Sequence, residues 1–381
     1  MKYISLIGST GSIGKQVCAV VKRYPEQFKI VSIVANSSAE TFLQQVQEFK
    51  PQYAALADAR AGAELKDQIP SGVQFGYGEE AALNAIGYGD IAFIAATGFA
   101  GLKYSLKAIE EKKAIALANK ETLVCGGELV MGKIKGAGID LMPVDSEHSA
   151  LWQALGFRLD APFKRLIITA SGGPFYGKSQ DELGAVKAAD ALKHPTWNMG
   201  AKITIDSATL LNKGFEVIEA MWLYGCGIEK IHTVVHPESI IHSMVEFEDS
   251  GVLAQLSYPT MELPIQLALT YPNRVSCALK SLDFETLAAL HFKPLHRADF
   301  PCYDLALTAA ELGDNYACAL NGAGEIAVRA FLDGRISFPA IAETIKDALY
   351  KTERIQNADF AALKATDERA RALAREFVLK A

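Results

Sequence analysis

The stretch that decides the fold is KYISLIGSTGSIG, residues 2–14. A short apolar run passes into glycines at positions 8, 11 and 14, and a helical pattern follows. Glycines permit a tight turn and a close approach of the backbone, and a helix N-terminus favours a pyrophosphate group. The spacing G-x-x-G-x-x-G is one residue wider than the usual fingerprint, but its place between strand and helix indicates a dinucleotide site. A structural glycine turn without cofactor is the alternative.

The first 145 residues alternate short apolar runs with helical patterns. The runs predict strands at 2–8, 28–35, 90–96, 112–118 and 139–144. The intervening patterns predict helices at 12–24, 39–50, 102–111 and 121–135. This alternation predicts a parallel, doubly wound α/β sheet, a Rossmann-like nucleotide-binding domain over residues 1–145.

The pattern changes after the glycine-rich loop at 171–177. Helical patterns at 179–193 and 206–224 precede strand patterns at 230–236, 239–249 and 251–258, the last two joined as a hairpin at 249–251. We therefore predict a separate α+β domain over 146–270. A proline-containing linker at 271–300 and a helical C-terminal domain at 301–381 complete the predicted organisation.

Composition narrows the class of protein. The chain has 381 residues, half of them apolar, and a net charge of −6, which gives no long-range attraction to nucleic acid or to an anionic membrane. Its six cysteines contain no C-x-x-C pair, as in a protein with free thiols in a reducing cytosol. No apolar run is long enough for a membrane span, and the N-terminal run breaks too early for a signal peptide. A cytoplasmic location is expected.

Three loops at predicted strand ends carry candidate nucleotide-binding residues. The second strand ends in residues 36–38, Asn-Ser-Ser, without the carboxylate that selects NAD, so NADP is favoured. Residues 95–98 follow another strand, and Asn119 and Lys120 follow the next, where Asn119 would bond nicotinamide or ribose and Lys120 would face the substrate. Alternatively, this last loop is a helix start, with Glu121 at the positive end of the helix dipole.

Acidic residues suggest a metal site. If residues 145–147 are extended, Asp145 and Glu147 point to one side, and Glu216 adds a third carboxylate. Oxygen ligands without cysteine select Mg²⁺ or Mn²⁺ rather than zinc. The alternative is a capping Asp-x-Glu on a surface turn.

The segment 194–216, HPTWNMGAKITIDSATLLNKGFE, offers groups for an anionic ligand. Asn212, Lys213 and Glu216 share one face of a predicted helix. Phosphate donors are also available in its other polar side chains and in the glycine-rich loop, namely Ser171, His194 and Ser207. A solvated helix face with an ordinary ion pair is the alternative. Four other histidines are assigned structural roles: His148, His232, His236 and His242.

Six motifs, in order along the chain, resemble the 1-deoxy-D-xylulose 5-phosphate reductoisomerase family. They are GSTGSIG at 8–14, LANKE at 117–121, DSEH at 145–148, SGGPF at 171–175, HPTWNMG at 194–200 and DSATLLNKGFEVIEA at 206–220. The resemblance implies a homodimeric enzyme that uses NADPH and Mg²⁺ or Mn²⁺, with Co²⁺ possible. It also implies that 146–270 is the catalytic domain and that its sheet serves dimerisation. The enzyme would rearrange and reduce 1-deoxy-D-xylulose 5-phosphate to 2-C-methyl-D-erythritol 4-phosphate in the methylerythritol phosphate pathway to isoprenoids.

The resemblance also implies roles for individual residues. The metal ligands would be Asp145, Glu147 and Glu216. The substrate would be bound by Lys120, Ser146, Glu147, Ser171, His194, Trp197, Ser207, Asn212, Lys213 and Glu216. NADPH would be contacted by Thr10, Gly11, Ser12, Ile13, Asn119, Glu121 and Gly200. The catalytic groups would be Lys120, Asp145, Glu147, His194 and Glu216, with either Glu147 or Lys120 relaying protons.

Two further features complete the comparison with the family. Segment 191–201 resembles the family's lid, with Trp197 closing over the substrate, whereas residues 36–38 depart from the glycine, lysine and asparagine that the family often carries.

Three rival functions share parts of this pattern: another NADP-dependent oxidoreductase with a metal-free substrate site, a non-redox metal-dependent sugar-phosphate isomerase or aldolase, and a nucleotide-sensing protein without turnover.

Overall fold

The computed structural model describes residues 1–178, 180–192 and 200–380. The chain divides into two compact units. The first contains Met1–Thr122, Val130–Asp145 and Met261–Ala278, and the second contains the described residues of Leu123–Leu129, Ser146–Thr260 and Leu279–Ala381. His194 and Trp197, with most of the predicted lid at 191–201, lie outside the described residues.

The first unit is built on a seven-stranded sheet in which all neighbouring strands are parallel. Its strands are β1 (Lys2–Ile7), β2 (Phe28–Ala35), β3 (Tyr53–Leu56), β4 (Gln74–Tyr77), β5 (Ile91–Ile94), β6 (Ala114–Leu117) and β7 (Leu141–Pro143). Their order is β4-β3-β2-β1-β5-β6-β7, so the winding reverses between β1 and β5. Open α/β sheets bind ligands at the carboxyl ends of strands at such a switch point.

The central strands form because their sequences suit a sheet covered on both faces. All but one residue of β2 are buried, and so are the last four residues of β1, as expected for parallel strands with continuous apolar runs. The helices that follow the strands are α1 (Ser12–Arg23), α2 (Ala39–Phe49), α3 (Ala59–Leu65), α4 (Glu79–Asn84), α5 (Ala100–Glu110) and α6 (Glu121–Ala137).

The predicted Rossmann-like α/β class is confirmed. Strands β1, β2, β5, β6 and β7 and helices α1, α2, α5 and α6 lie where the sequence predicts them. Strands β3 and β4 and helices α3 and α4 were missed. β4 is an edge strand with no fully buried residue, so its sequence, QFGY, carries no apolar run to reveal it.

The second unit contains a mixed five-stranded sheet. Its strands are β8 (Arg165–Ala170), β9 (Ile231–Val235), β10 (Ile241–Glu246), β11 (Val252–Leu256) and β12 (Lys293–Pro294), in the order β11-β10-β8-β9-β12. Only β8 and β9 are parallel neighbours. The predicted hairpin between β10 and β11 is confirmed, and its turn is closed by Phe247 N–H donating to the Gly251 carbonyl at 2.9 Å.

The remaining helices are α7 (Ser146–Ala154), α8 (Gln180–Gly184), α9 (Ala188–Ala191), α10 (Ala201–Ala208), α11 (Leu211–Leu223), α12 (Glu262–Thr270), α13 (Pro301–Leu312), α14 (Tyr316–Leu332), α15 (Phe338–Tyr350) and α16 (Phe360–Val378). All except α12 belong to the second unit. Its main core joins α11 to the C-terminal helices through Phe215, Leu305, Leu320, Ile341 and Leu373. Among the described residues, none of the helices combines the length and the apolarity that crossing a membrane requires.

The structure differs from the sequence-based expectations in three places. Residues 145–147 are not extended, because α7 begins at Ser146 and places Glu147 in the first turn of a helix. The predicted linker contributes β12 to the second sheet. Residues 261–278 join the first unit, although the sequence suggests a catalytic domain and a linker there. The division into four functional parts stays a prediction.

Candidate active site

The glycine-rich loop after β1 is held tightly against the sheet of the first unit. Gly8 has φ +86°, and the N–H groups of Gly8 and Ser9 both donate to the Val34 carbonyl at 2.9 Å. A Cβ atom on Gly14 would lie 2.3 Å from the Gly8 carbonyl oxygen, so only glycine fits there. Since Gly11 is the N-cap of α1, the loop presents the first N–H groups of that helix at the switch point. This geometry suits a pyrophosphate.

The loop after β2 is open and carries no carboxylate. Residues 36–38 are exposed, and the Asn36 carbonyl accepts from the Asp58 N–H at 3.1 Å. The Asp58 carboxylate accepts from Ala61 N at 2.8 Å and so caps α3. Asp58 is therefore engaged as a helix cap, and the side chains of residues 36–38 are small, polar and exposed.

Asn119 ties together the loops that follow β5 and β6. Its amide nitrogen donates to the Gly98 carbonyl at 3.2 Å and to Glu121 Oε2 at 2.7 Å. Its oxygen accepts from the backbone N–H and the hydroxyl of Thr122, at 3.0 and 2.6 Å. The side chain is thus engaged by protein groups, and its predicted direct contact with nicotinamide or ribose stays a prediction.

Lys120 forms a buried ion pair in the first unit. Its Nζ lies 2.5 Å from Asp145 Oδ2, and both side chains are about nine-tenths buried. Lys120 directly precedes α6, and Asp145 follows β7. An ammonium held this way is able to protonate or to orient an oxygen of a ligand.

In the second unit, Lys213 joins two carboxylates. Its Nζ lies 2.7 Å from Glu147 Oε1 and also donates to Glu216 Oε2, and the Lys213 side chain is only 5% exposed. The Asn212 amide donates to Glu216 Oε1 at 2.5 Å, and Ser146 Oγ donates to Glu147 Oε2 at 2.5 Å. The predicted shared helix face is confirmed for Asn212, Lys213 and Glu216.

The electrostatics of this cluster favour an additional cation. Burial lowers the pKa of Lys213, but the charges of Glu147 and Glu216 outweigh this effect, so the pKa is raised and the ammonium stays charged. Carboxylate oxygens of Glu147 and Glu216 lie within 4.8 Å of each other. Two carboxylates with one ammonium carry net negative charge in a buried place, and their donor set fits a hard divalent ion.

Helices α7 and α11 share a second buried pair. His148 Nε2 lies 2.9 Å from Glu219 Oε2, and both side chains are inaccessible to solvent. The Tyr224 hydroxyl donates to the His148 carbonyl at 2.7 Å. Sequence reasoning assigned His148 a structural role and missed Glu219. The spacing of Glu219, three residues after Glu216, was the signal that could have found it, because residues three apart share a face of a helix.

Two further histidines differ in their relation to the cluster. His242 is buried and its Nε2 lies 3.0 Å from Ser257 Oγ; burial lowers its pKa, against the opposing charge of Glu147. His242 therefore contributes to the electrostatics of the site. Sequence reasoning did not assign it this role. His236 Nε2 accepts from the Ile240 and Ile241 N–H groups, so its role is structural, as predicted.

The glycine-rich loop after β8 lies against the end of α10. Gly173 has φ +67°, and a Cβ atom on it would lie 3.0 Å from the Ser207 carbonyl oxygen. The Gly173 N–H donates to Ser171 Oγ at 3.2 Å. The loop that carries Ser171 is thus packed against the backbone of Ser207, and the predicted binding of phosphate by these two residues stays a prediction. Gly200 is the exposed N-cap of α10.

These two units define a class. The first unit has a glycine loop at the switch point of a parallel sheet, and the second has a buried acidic cluster. These features are typical of a dinucleotide-dependent oxidoreductase. Family models match most of the chain: 1-deoxy-D-xylulose 5-phosphate reductoisomerase over residues 4–127, its C-terminal domain over 141–224, and the DXP reductoisomerase C-terminal domain over 256–373. The chain belongs to the 1-deoxy-D-xylulose 5-phosphate reductoisomerase family.

Individual relatives agree over the full length. The chain is 46% identical to 1-deoxy-D-xylulose 5-phosphate reductoisomerase of Geobacillus kaustophilus, covering 99% of this chain and all of the relative. It is also 46% identical to the protein of that name from Caldanaerobacter subterraneus, covering 94% of both chains.

Solved structures show the same fold. The reductoisomerase of Zymomonas mobilis in complex with NADPH superposes with a TM-score of 0.92, at 36% identity and 99% coverage of both chains. A DOX-P reductoisomerase in complex with NADPH, fosmidomycin and magnesium gives a TM-score of 0.94 at 34% identity, covering 100% of this chain and 98% of that one. The predicted family is confirmed.

Proposed function

We propose that this protein catalyses the NADPH- and divalent-metal-dependent conversion of 1-deoxy-D-xylulose 5-phosphate to 2-C-methyl-D-erythritol 4-phosphate. The observation that carries the proposal is the buried cluster in which Lys213 joins Glu147 and Glu216. The relative solved with NADPH, fosmidomycin and magnesium supports it, since that protein binds both a reduced nicotinamide nucleotide and a divalent ion.

The reaction needs two kinds of chemistry. The bond between the α and β carbons of the substrate ketone breaks and a new bond forms between the β carbon and the former carbonyl carbon. The α carbon becomes an aldehyde, which then takes up a hydride and a proton. NADPH supplies the hydride when bound. A divalent ion supplies Lewis-acid stabilisation of negative charge on substrate oxygens.

We assign Asp145, Glu147 and Glu216 as the ligands of that ion. Glu147 and Glu216 are close enough to share one ion, and Asp145 precedes Glu147 by two residues. Lys213 and Asn212 hold Glu216 in place, so the orientation of this ligand is fixed before the ion arrives. These assignments are proposals from contacts in the chain.

For the substrate, we assign Ser171 and Ser207 to the phosphate because the loop that carries Ser171 packs against the backbone of Ser207. Lys120, charged and buried beside Asp145, is our candidate for binding a substrate hydroxyl and delivering a proton. His194 and Trp197 keep their proposed roles in the substrate site and the lid. The remaining predicted contacts, including those of Asn212 and Lys213 with the phosphate, are proposals as well.

Consumption of NADPH tests the function. Purified protein with Mg²⁺ or Mn²⁺ should oxidise NADPH only when 1-deoxy-D-xylulose 5-phosphate is present, and Glu216→Gln should abolish this turnover while leaving the Kd for NADPH unchanged. Absence of NADPH oxidation by the metal-loaded wild type would refute the proposal. Conversion of the substrate without any nucleotide would instead favour a non-redox isomerase.

We further propose that the protein is a homodimer that pairs through the second sheet. β11 is an edge strand, and Val252 and Leu253 are 50% and 55% exposed. An exposed apolar edge strand is a template for pairing with another chain, and a two-fold axis lets identical strands pair with each other. Light scattering should give twice the chain mass, and Leu253→Lys should shift the protein towards monomer; a wild-type monomer would exclude the dimer.

We propose a cytoplasmic location because the cysteines are present as thiols. Cys18, Cys302 and Cys318 are buried free thiols, and within the described residues no disulfide is formed. Free thiols persist in a reducing compartment. Fractionation of cells that produce the protein checks the location.

A further inference from the structure

Gln45 is a buried amide that sits beneath the glycine-rich loop of the first unit. It lies on α2 and is 7% exposed, whereas its neighbours Gln44 and Gln47 are exposed. Its Nε2 donates to the Ser9 carbonyl at 2.8 Å and approaches Cys18 Sγ at 3.7 Å. Burying an amide is unfavourable unless its hydrogen bonds are made, so a glutamine here needs a reason that an apolar side chain would not meet.

The bond to Ser9 determines the orientation of one peptide plane. In a trans peptide, the carbonyl of one residue and the N–H of the next point in opposite directions. When Gln45 holds the Ser9 carbonyl towards the interior, the Thr10 N–H therefore points outward, to the side of the loop where residues 11 and 12 are exposed. In the described part of the chain, this N–H has no protein acceptor.

The other contacts of the loop do not fix this plane. Gly8 N–H and Ser9 N–H donate to Val34, and Gly11 N–H donates to Gly8. These bonds hold the peptide planes on either side of the Ser9–Thr10 plane. Ser9 Oγ and Gln45 Oε1 are buried and lack protein partners among the described residues, so the donated bond from Nε2 is the polar link between α2 and the loop.

We propose that Gln45 is a positioning residue for NADPH, which acts by orienting the Ser9–Thr10 peptide so that the Thr10 N–H is ready to bind the pyrophosphate. This inference rests on the proposed NADPH-dependent activity. Gln45 does not touch the cofactor; it removes the cost of reorienting the loop when the cofactor binds.

The test compares Gln45→Met with Gln44→Met. Both changes replace an amide by an apolar chain of similar length on the same helix, but only the first removes the bond to Ser9. Gln45→Met should raise the KM and the Kd for NADPH about five- to tenfold, the effect of one lost hydrogen bond. The kcat at saturating NADPH and the KM for the sugar phosphate should stay within about twofold of the wild type, and Gln44→Met should match the wild type throughout.

Gln45→Glu supplies a readout that a purely structural role would not produce. A protonated carboxyl group is able to donate to the Ser9 carbonyl, whereas a carboxylate repels it. Burial raises the pKa of a carboxyl group, so the protonated form should persist into the assay range. The KM for NADPH of Gln45→Glu should therefore rise with pH more steeply than that of the wild type, and fall back towards the wild-type value at low pH.

The outcomes separate the inference from the function on which it rests. A wild type that does not oxidise NADPH refutes the proposed function. An active wild type with an unchanged NADPH KM in Gln45→Met refutes the positioning role, even if the variant is less stable. A lowered kcat at an unchanged KM, or a Gln45→Glu variant with the pH profile of the wild type, also overturns it.

Discussion

Replacing Lys213 by methionine should strongly destabilise the second unit at neutral pH. The Nζ of Lys213 lies 2.7 Å from Glu147 and also contacts Glu216. At an effective dielectric constant of about 20, one such pair of charges attracts by about 6 kcal/mol, and the desolvation of buried groups offsets much of this. Removing one partner of a buried pair typically costs about 3–5 kcal/mol, because the other charge stays buried without compensation. We expect a loss of that size.

The assay is urea unfolding followed by tryptophan fluorescence. All three tryptophans lie in the sequence range of the second unit, so the signal reports on that unit. Extrapolation to zero denaturant gives the free energy of unfolding, with chelator present so that no divalent ion replaces the missing ammonium. Lys351→Met is the control, because it breaks an exposed pair with Asp347 and should cost less than about 1 kcal/mol.

The pH dependence of the free energy of unfolding tests whether the charge of Lys213 stabilises the cluster. The pKa of Lys213 is raised in the folded protein, so its contribution in the wild type is complete below its ordinary value of 10.5 and fades only at higher pH. The deficit of Lys213→Met should therefore be full at neutral pH and shrink only as the pH rises above 10.5, where the wild type loses the charge of Lys213. A deficit equal to that of Lys351→Met, or one independent of pH, would show that Lys213 is not the counter-ion of this cluster.

Three other changes address separate parts of the structure. Gly14→Ala places a Cβ atom 2.3 Å from the Gly8 carbonyl oxygen, so it should destabilise the loop by about 1–3 kcal/mol and weaken NADPH binding; an unchanged Kd would contradict this. Asn36→Asp adds a carboxylate after β2 and should raise the KM for NADPH about tenfold but not that for NADH; parallel changes for both nucleotides would mean that residue 36 is remote from the 2′-phosphate. Glu219→Gln removes the charge beside His148 and should lower the free energy of unfolding by about 1–3 kcal/mol in the urea assay, whereas full stability would show that the pair is not maintained as a charged contact.

The architecture of the first unit could be predicted where the sequence is locally informative. The strand, the glycine loop and α1 are encoded by residues adjacent in the chain, and β1 and β2 are predominantly apolar runs. β4 was missed because an exposed edge strand buries too little to leave a pattern, and β3, YAAL, was missed because it is short and carries no β-branched residue. Residues 145–147 were wrongly expected to be extended, since a polar triplet after a strand suits either a continued strand or a helix start.

The candidate site was predictable as far as one helix determines it. Asn212, Lys213 and Glu216 share a face by spacing alone, and the structure confirms that they interact. The pairing of Lys213 with Glu147, and of His148 with Glu219, joins residues about 70 positions apart through the packing of α7 against α11. No local sequence pattern predicts how these two helices pack against each other. Gln45 was missed for the same reason, because burial of a polar residue becomes visible only when the loop it supports is in place.

Helix α12 belongs to the first unit although it comes late in the sequence, and this has a consequence for synthesis of the chain. Lys2 Nζ donates to the Leu269 carbonyl at 2.9 Å, and the Tyr24 hydroxyl donates to Gln266 Oε1 at 2.9 Å. The nucleotide-binding unit is therefore complete only when the ribosome has added more than a hundred residues beyond β7. At about 5–20 residues per second, that delay is on the order of ten seconds. A nascent chain must keep the face of α1 that receives α12 uncovered for this time, and a fragment cut after β7 would expose it permanently.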